Sequence, residues 1–238
     1  YGPGRMVEPI DIIHYLEKFT KTGKKLSVLI TSGGTKEHID GVRYISNISS
    51  GNTASYVARS FLDAGHELTF LSSLDGKVPI GKYKKIIFGS YSDLKEKLFS
   101  LIVERNFDIL IHAAAISDFT PKNVNTSSKI DSKKQNISID FKRRPKMVDT
   151  LKVKSKNKNM RLIAFKLTSE NSEEKKINKV ESLFQRSNAD LIVQNDISDR
   201  NGDVQVGFNI YDHNFKIASA SNSTDLGKII LEEIVKKS

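Results

Sequence analysis

The fold is constrained first by the stretch between residues 26 and 64. A short apolar run, Leu26 to Ile30, reads as a buried strand. It halts at Thr31-Ser32-Gly33-Gly34-Thr35, where hydroxyls and glycines put backbone N–H groups beside open space, as a phosphate requires. Acid, base and amide follow in close order at Glu37, Asp40, Arg43 and Asn47. A second small-residue turn, Ser49-Ser50-Gly51, opens an apolar-periodic helix from Ala54 to Ala64, with Val57, Ala58, Phe61 and Leu62 on one face. On spacing alone an ordinary polar loop fits this segment as well, because Gly-Gly turns are common.

The same alternation runs on. Strands are expected at His66–Ser73, Lys85–Phe88, Phe107–His112 and Leu162–Leu167, and again in the apolar run after Ala189. Helices are expected at Asp11–Phe19, Ser92–Glu104, Glu173–Ser187 and Asp225–Val235. Ile137 to Phe141 alternates as a strand, and Val204–Tyr211 with Asn214–Ala218 reads as a terminal hairpin. Residues 122 to 136 are polar and without periodicity, which predicts a mobile loop. The fold class that follows is α/β: a single Rossmann-like, doubly wound, mainly parallel sheet with helices on both faces. A dinucleotide-binding unit would carry Gly-x-Gly-x-x-Gly in the first turn and an acid at the end of the second strand. This chain has Ser-Gly-Gly-Thr and ends that strand in Ser72-Ser73, with Asp75 two residues on.

The chain of 238 residues has no cysteine, so disulfides and thiolate metal sites are excluded. It has neither an apolar run long enough to span a membrane nor a visible signal peptide, and a cytoplasmic protein without membrane partners is expected. The net charge is +10, concentrated in residues 122 to 160, which hold twelve Lys or Arg against three Asp. Such a block suits nucleic acid or a polyphosphorylated ligand equally. Aromatic side chains interleaved with the cations would favour a single strand, and only Phe141 lies among them.

Residues 29 to 51 match the segment L-I-T-x-G-G-T-x-E-x-I-D-x-V-R-x-I-x-N-x-S-S-G, and on it the chain resembles phosphopantothenoylcysteine synthetase. That family joins 4'-phosphopantothenate to L-cysteine on the way to coenzyme A. It continues Lys-Met-Gly where this chain has Asn52-Thr53-Ala54. Ordered matches follow along residues 26 to 235. Ala114-Ala115-Ile116-Ser117-Asp118-Phe119-Thr120-Pro121 is similar to the family's Ala-Ala-x-x-Asp-aromatic-x-Pro. Lys129-Ile130-Asp131-Ser132-Lys133 is similar to its lysine-rich flap, Lys142 to Leu151 to its nucleotide-holding turn, and Phe165-Lys166-Leu167 to its Phe-Lys-Leu. Asp190-Leu191-Ile192-Val193-Gln194-Asn195-Asp196 matches a further motif. Lys146 stands where the family's turn has an acid. Leu183 and Ser187 stand where its helix carries lysines, with Lys179 and Arg186 nearby.

The resemblance implies a ligase that forms an acyl-cytidylate from CTP, with Mg²⁺ on the triphosphate, and releases CMP and pyrophosphate. It implies Asn47 and Lys129 as catalytic residues, with Lys133 or Lys134 able to share the lysine's work. Ser32, Gly33, Gly34, Asp118, Phe119, Lys129, Pro145, Lys146, Met147, Val148 and Phe165 would hold the nucleotide. Arg43, Asn47 and Ala114 would hold the substrate, and no protein ligand to a metal is implied. It further implies a homodimer built on a small antiparallel element. Gly2-Pro-Gly-Arg-Met-Val-Glu-Pro9 resembles the closing segment of a flavin-dependent decarboxylase fused ahead of the synthetase. Residues 1–24 are then its tail and a linker, residues 25–238 are the synthetase domain, and no flavin belongs to this chain. The use of CTP rather than ATP follows from that fusion by resemblance, not from individual residues. The alternative in another class is a basic Rossmann-like module that binds nucleic acid.

Overall fold

The computed structural model describes Glu8, Ile10, residues 24–202 and residues 204–235. The expected helix at Asp11–Phe19 lies outside the described residues, as does nearly all of the expected tail at 1–24. An eight-stranded sheet runs in the order β14-β13-β10-β9-β6-β1-β4-β5. Its strands are β1 (Ser27–Ser32), β4 (Glu67–Ser73), β5 (Lys84–Phe88), β6 (Ile109–His112), β9 (Arg161–Thr168), β10 (Leu191–Asp196), β13 (Phe208–Tyr211) and β14 (Lys216–Ala220). The six from β10 to β5 are parallel, and β13 and β14 extend one edge antiparallel. Strand order runs outward in opposite directions from β1 and β6. The crevice at their carboxyl ends is a topological switch point, where open α/β sheets bind ligands.

Among the described residues five helices cover the sheet: α1 (Asn52–Asp63), α2 (Tyr91–Glu104), α3 (Leu151–Lys154), α4 (Glu173–Ser187) and α5 (Ser223–Val235). Period-2 alternation divides the strands between two cores. Leu29, Leu71, Leu110 and Leu162 pack with Leu94, Leu98 and Ile102 of α2 and Val180 and Leu183 of α4. Val28, Ile30, Phe70, Ile111 and Ile163 pack on the other face with Val57 and Phe61 of α1 and Leu226 and Ile230 of α5. Coverage on both faces explains why these strands read as apolar runs rather than as alternating ones. No helix among the described residues is long and apolar enough to cross a membrane.

Three two-stranded antiparallel sheets stand outside the main one: β2 (Lys36–His38) with β3 (Tyr44–Ser46), β7 (Phe119–Pro121) with β8 (Phe141–Arg143), and β11 (Arg200–Asn201) with β12 (Val204–Gln205). The strand expected at Ile137–Phe141 begins at Phe141 instead. Its partner β7 has three residues, so the pairing stops there and Ile137 stays exposed. The expected run Val204–Tyr211 is broken by Gly207, whose φ of +83° turns the chain between β12 and β13. The β2–β3 hairpin, read from sequence as loop, is the element that the alternation of polar residues concealed.

Candidate active site

At the switch point lies a cleft of about 840 Å³, walled by segments 47–54, 112–118, 145–148 and 164–167 and by Leu183, Arg186, Asn195, Arg200, Gln205 and Phe208. Of the residues singled out from sequence, the structure brings Asn47, Ala114, Asp118, Pro145, Lys146, Met147, Val148 and Phe165 together on it. Ser32, Gly33, Gly34, Arg43, Phe119 and Lys129 are not among the lining residues.

The Ser32-Gly33-Gly34 turn sits behind the cleft, for a visible reason. Its backbone is committed to the segment that follows β6. Ala115 N donates to Gly33 O at 2.8 Å, Thr35 N to Ala115 O at 3.3 Å and Ser117 N to Thr35 Oγ1 at 3.1 Å. Ser32 Oγ donates to Gly51 O at 3.3 Å. Gly33 has φ +82°, and a Cβ there would fall 1.9 Å from Ser73 Oγ. The glycines thus allow chain to approach chain, and the turn fixes the walls of the cleft.

The open anion-attracting surface is instead the start of α1. Gly51 at its N-cap has φ 73° and supplies no side-chain cap, and the first turn holds no acid. Residues 49–54, which include this first turn, line the cleft, and a helix N-terminus attracts negative charge. The Lys-Met-Gly missing at 52–54 has a spatial counterpart: Lys77 Nζ lies 3.2 Å from Asn52 Oδ1, so an ammonium stands there from another loop.

Scaffolding around the cleft comes from the same motifs. Glu37 is 3% exposed and accepts from Tyr91 N at 2.7 Å, capping α2. Tyr91 Oη donates to Pro145 O at 2.7 Å, and Arg144 N to Asp118 O at 2.7 Å, which sets the 145–148 turn against the Asp118 strand end. Asp40, 2% exposed, accepts from Val42 N and Arg43 N at 2.8 Å and from Ile130 N at 3.0 Å. The Ile130 N–H, then that of Val42, hold its carboxyl below the usual range. Arg43 is spent partly on Asp40, at 3.2 Å. Lys129, next to Ile130, is exposed on the loop.

A second compartment of about 600 Å³ adjoins the cleft, sharing Lys146, Lys166 and Arg186 with it. Six cations (Arg143, Lys146, Lys166, Lys175, Lys179 and Arg186) line it against two acids, Asp149 and Glu170. Lys179 pairs with Glu170, Arg186 with Asp149 at 2.8 Å, and Lys146 with Asp118. Lys166 has its pKa lowered, by burial first and then by the charges of Lys146, Lys179 and Arg186. Leu183 and Ser187, which stand where the resemblance implies lysines, are both buried, and Leu183 contributes an apolar side chain to the cleft wall. The neighbouring cations stand around the compartment instead. Sequence reasoning passed over Lys166, although the Phe-Lys-Leu string placed it at a strand end. It also passed over His112, whose signal was a polar residue closing an apolar run.

The model of the DNA/pantothenate metabolism flavoprotein C-terminal domain matches residues 23–236. The chain belongs to this family. It is 32% identical over 200 residues to the coenzyme A biosynthesis bifunctional protein CoaBC of Thermococcus kodakarensis, covering 82% of this chain and 48% of that protein. The same protein of Methanocaldococcus jannaschii is 33% identical over 202 residues, covering 83% and 48%. The chain therefore spans about half the length of the curated relatives it matches. Among solved structures, the DNA/pantothenate metabolism flavoprotein from Streptococcus pneumoniae superimposes with TM-score 0.80 at 24% identity, over 90% of this chain and 100% of that one. A Cab2 mutant in complex with phosphopantothenate-cysteine has TM-score 0.68 at 19% identity, over 98% and 94%. These two likenesses establish the fold.

Proposed function

We propose that this domain of the flavoprotein C-terminal family joins 4'-phosphopantothenate to L-cysteine, with CTP activating the carboxylate. The observation that carries the reading is the cation-rich compartment continuous with the switch-point cleft. Lys166 registers burial first and then the repulsion of Lys146, Lys179 and Arg186 around this space, and a polyphosphate relieves that repulsion. The bifunctional coenzyme A biosynthesis relatives and the phosphopantothenate-cysteine complex of a fold neighbour favour the same chemistry.

A carboxylate resists amide formation until one oxygen becomes a good leaving group. Its oxygen attacks the α-phosphate of CTP, the bond to the β-phosphate breaks, and pyrophosphate departs. The cysteine amine then attacks the acyl carbon of the acyl-cytidylate and CMP leaves. Asn47 is exposed on the cleft, and its amide N–H₂ is suited to hold the substrate carboxylate. Asp118 is placed to accept from the ribose hydroxyls, and Pro145–Val148 and Phe165 to flank the nucleoside. Lys166, Lys179 and Arg186 take the polyphosphate, and Lys129 acts once its loop folds over the site. Among the described residues no group of three or more acidic or histidine side chains is placed to hold a metal ion. Mg²⁺ fits this site as an ion carried mainly by the triphosphate, where it would neutralise charge.

A homodimer accords with the exposed apolar side chains of the small sheets, among them Tyr44, Ile45, Phe119 and Phe141, and of Val42 in the turn between β2 and β3. The relatives' greater length accords with a decarboxylase domain fused ahead of this one. Pyrophosphate release, measured with each substrate omitted in turn, tests the reading. Release that requires CTP and 4'-phosphopantothenate but not cysteine, limited to about one equivalent per site, is expected. Release without 4'-phosphopantothenate, or none with all three substrates, would refute it.

A further inference from the structure

His112 is the last residue of β6, in register with Thr31 of β1 and Ala164 of β9. It is 7% exposed and lines the cleft beside Ala114, Met147 and Ala164. A polar ring buried this deeply costs stability unless its nitrogens are satisfied. Nδ1 lies 3.0 Å from Thr31 Oγ1. Nε2 has no hydrogen-bond partner among the described residues. The one side-chain nitrogen or oxygen sealed off without a partner among them is Arg144 Nε, so Nε2 keeps access to the cleft.

Building on the CTP reading, we infer that His112 reads the nucleobase: Thr31 fixes its tautomer, and Nε2–H donates a hydrogen bond to the O2–N3 edge of cytosine. Thr31 Oγ1 accepts from Ala114 N at 3.2 Å and lies 3.0 Å from Nδ1, so its own proton is free to be donated to Nδ1. With Nδ1 accepting, the neutral ring carries its single proton on Nε2. Burial holds the pKa at about 4, so the ring is neutral throughout the physiological range and serves as a donor without charge.

The surroundings select a base rather than a phosphate. Ala164, in register with His112, and Met147 and Leu183 of the same cleft are apolar and nearly sealed. The cations begin at Lys166, two residues further along β9 on the same face, roughly 6–7 Å away at the rise of a strand. A nucleotide lying along β9 thus places its uncharged ring at His112 and its phosphates at Lys166. A donor at Nε2 suits the N3 acceptor of cytosine and opposes the N3–H of uracil, which makes His112 a specificity-determining residue.

The test uses the intact chain, ¹⁵N-labelled at histidine. Two-bond ¹H–¹⁵N correlation spectra assign the tautomer, and titration with CMP follows the Nε2 resonance. The expected result is an Nε2–H ring whose Nε2 signal shifts as CMP saturates. In kinetics, His112→Phe should raise the KM for CTP by about 10- to 100-fold, leave the KM for cysteine unchanged and narrow the preference for CTP over UTP. His112→Gln, which retains a donor, should recover part of that preference. An Nδ1–H tautomer, an Nε2 signal indifferent to saturating CMP, or an unchanged CTP-to-UTP ratio in a folded His112→Phe would overturn the inference and leave the ligase reading standing. Wild-type protein that neither binds CMP nor releases pyrophosphate from CTP would overturn both. Should His112→Phe fail to fold, the wild-type spectra decide.

Discussion

Burial of His112 has a consequence for stability that is independent of catalysis. Its pKa falls from 6.5 to about 4 because burial disfavours the charged ring. The unfolded chain therefore binds one more proton than the folded one between those values, and stability falls as pH drops through that window. From a depression of this size, linkage gives a loss of about 2 kcal/mol between pH 7 and pH 5, approaching about 3 kcal/mol at pH 4. Urea unfolding of the wild type and of His112→Gln at pH 7 and pH 5 isolates it, because the other histidines are common to both proteins. The variant should lose about 2 kcal/mol less than the wild type over that interval. Measurement at pH 5 also avoids overlap with the carboxylates. Burial opposes ionisation of Asp196, but hydrogen bonds from Thr168 and Ser198 outweigh it and hold this group at about 2. Its contribution is lost only below the normal aspartate range. Equal losses in wild type and variant would show that the imidazole is hydrated or already paired, and would remove the basis for a neutral donor.

Three substitutions probe the proposed chemistry. Asn47→Asp sets a carboxylate against the substrate carboxylate, and pyrophosphate release in a single turnover should fall about 100-fold or more, on the order of 3 kcal/mol of transition-state stabilisation; wild-type release would take Asn47 out of the mechanism. Asp118→Ala frees Lys146 from its ion pair and should raise the KM for CTP by about tenfold with little change for cysteine, whereas an equal rise in both would make Asp118 a structural cap. Lys129→Gln should still release up to one pyrophosphate per site yet accumulate the acyl-cytidylate, seen by rapid quench with labelled phosphopantothenate; normal turnover would pass the role to Lys133 or Lys134.

Much of the sheet was legible because its strands are buried on both faces and its helices carry one apolar stripe. Glu173–Ser187 appears as expected, and α2 begins one residue before the expected Ser92 because Ser90 caps it. The small hairpins were harder to read. In β2 and β3 the inward positions include Glu37, whose burial depends on a helix terminus 54 residues away, and no local pattern announces such a partner. The cleft was legible at its strand ends, where Ala114, Asp118 and Phe165 stand at the carboxyl edge. Its cationic side was not, because α4 presents Lys179 and Arg186 rather than cations at positions 183 and 187, where the resemblance implies lysines. Only packing shows that Leu183 lies between the core and the cleft and that the charges of Lys179 and Arg186 reach Lys166.

Within the 29–51 motif, packing separates scaffold from chemistry. Both acids are committed: Glu37 caps α2, and Asp40 accepts from three backbone amides and from the Arg43 guanidinium. The glycines admit neighbouring chain rather than ligand. What remains on the cleft is Asn47, whose side-chain amide is unengaged among the described residues, together with the uncapped start of α1. Asp40 also joins two parts that the proposed reaction needs at different times. Its bond to Ile130 N fastens the loop bearing Lys129 to the hairpin whose last strand leads into Asn47, and Gly41 N adds a second tie to Ser128 O at 2.8 Å. The residue proposed to orient the carboxylate and the residue proposed to assist CMP departure share one mechanical support, and the two half-reactions share one acyl carbon.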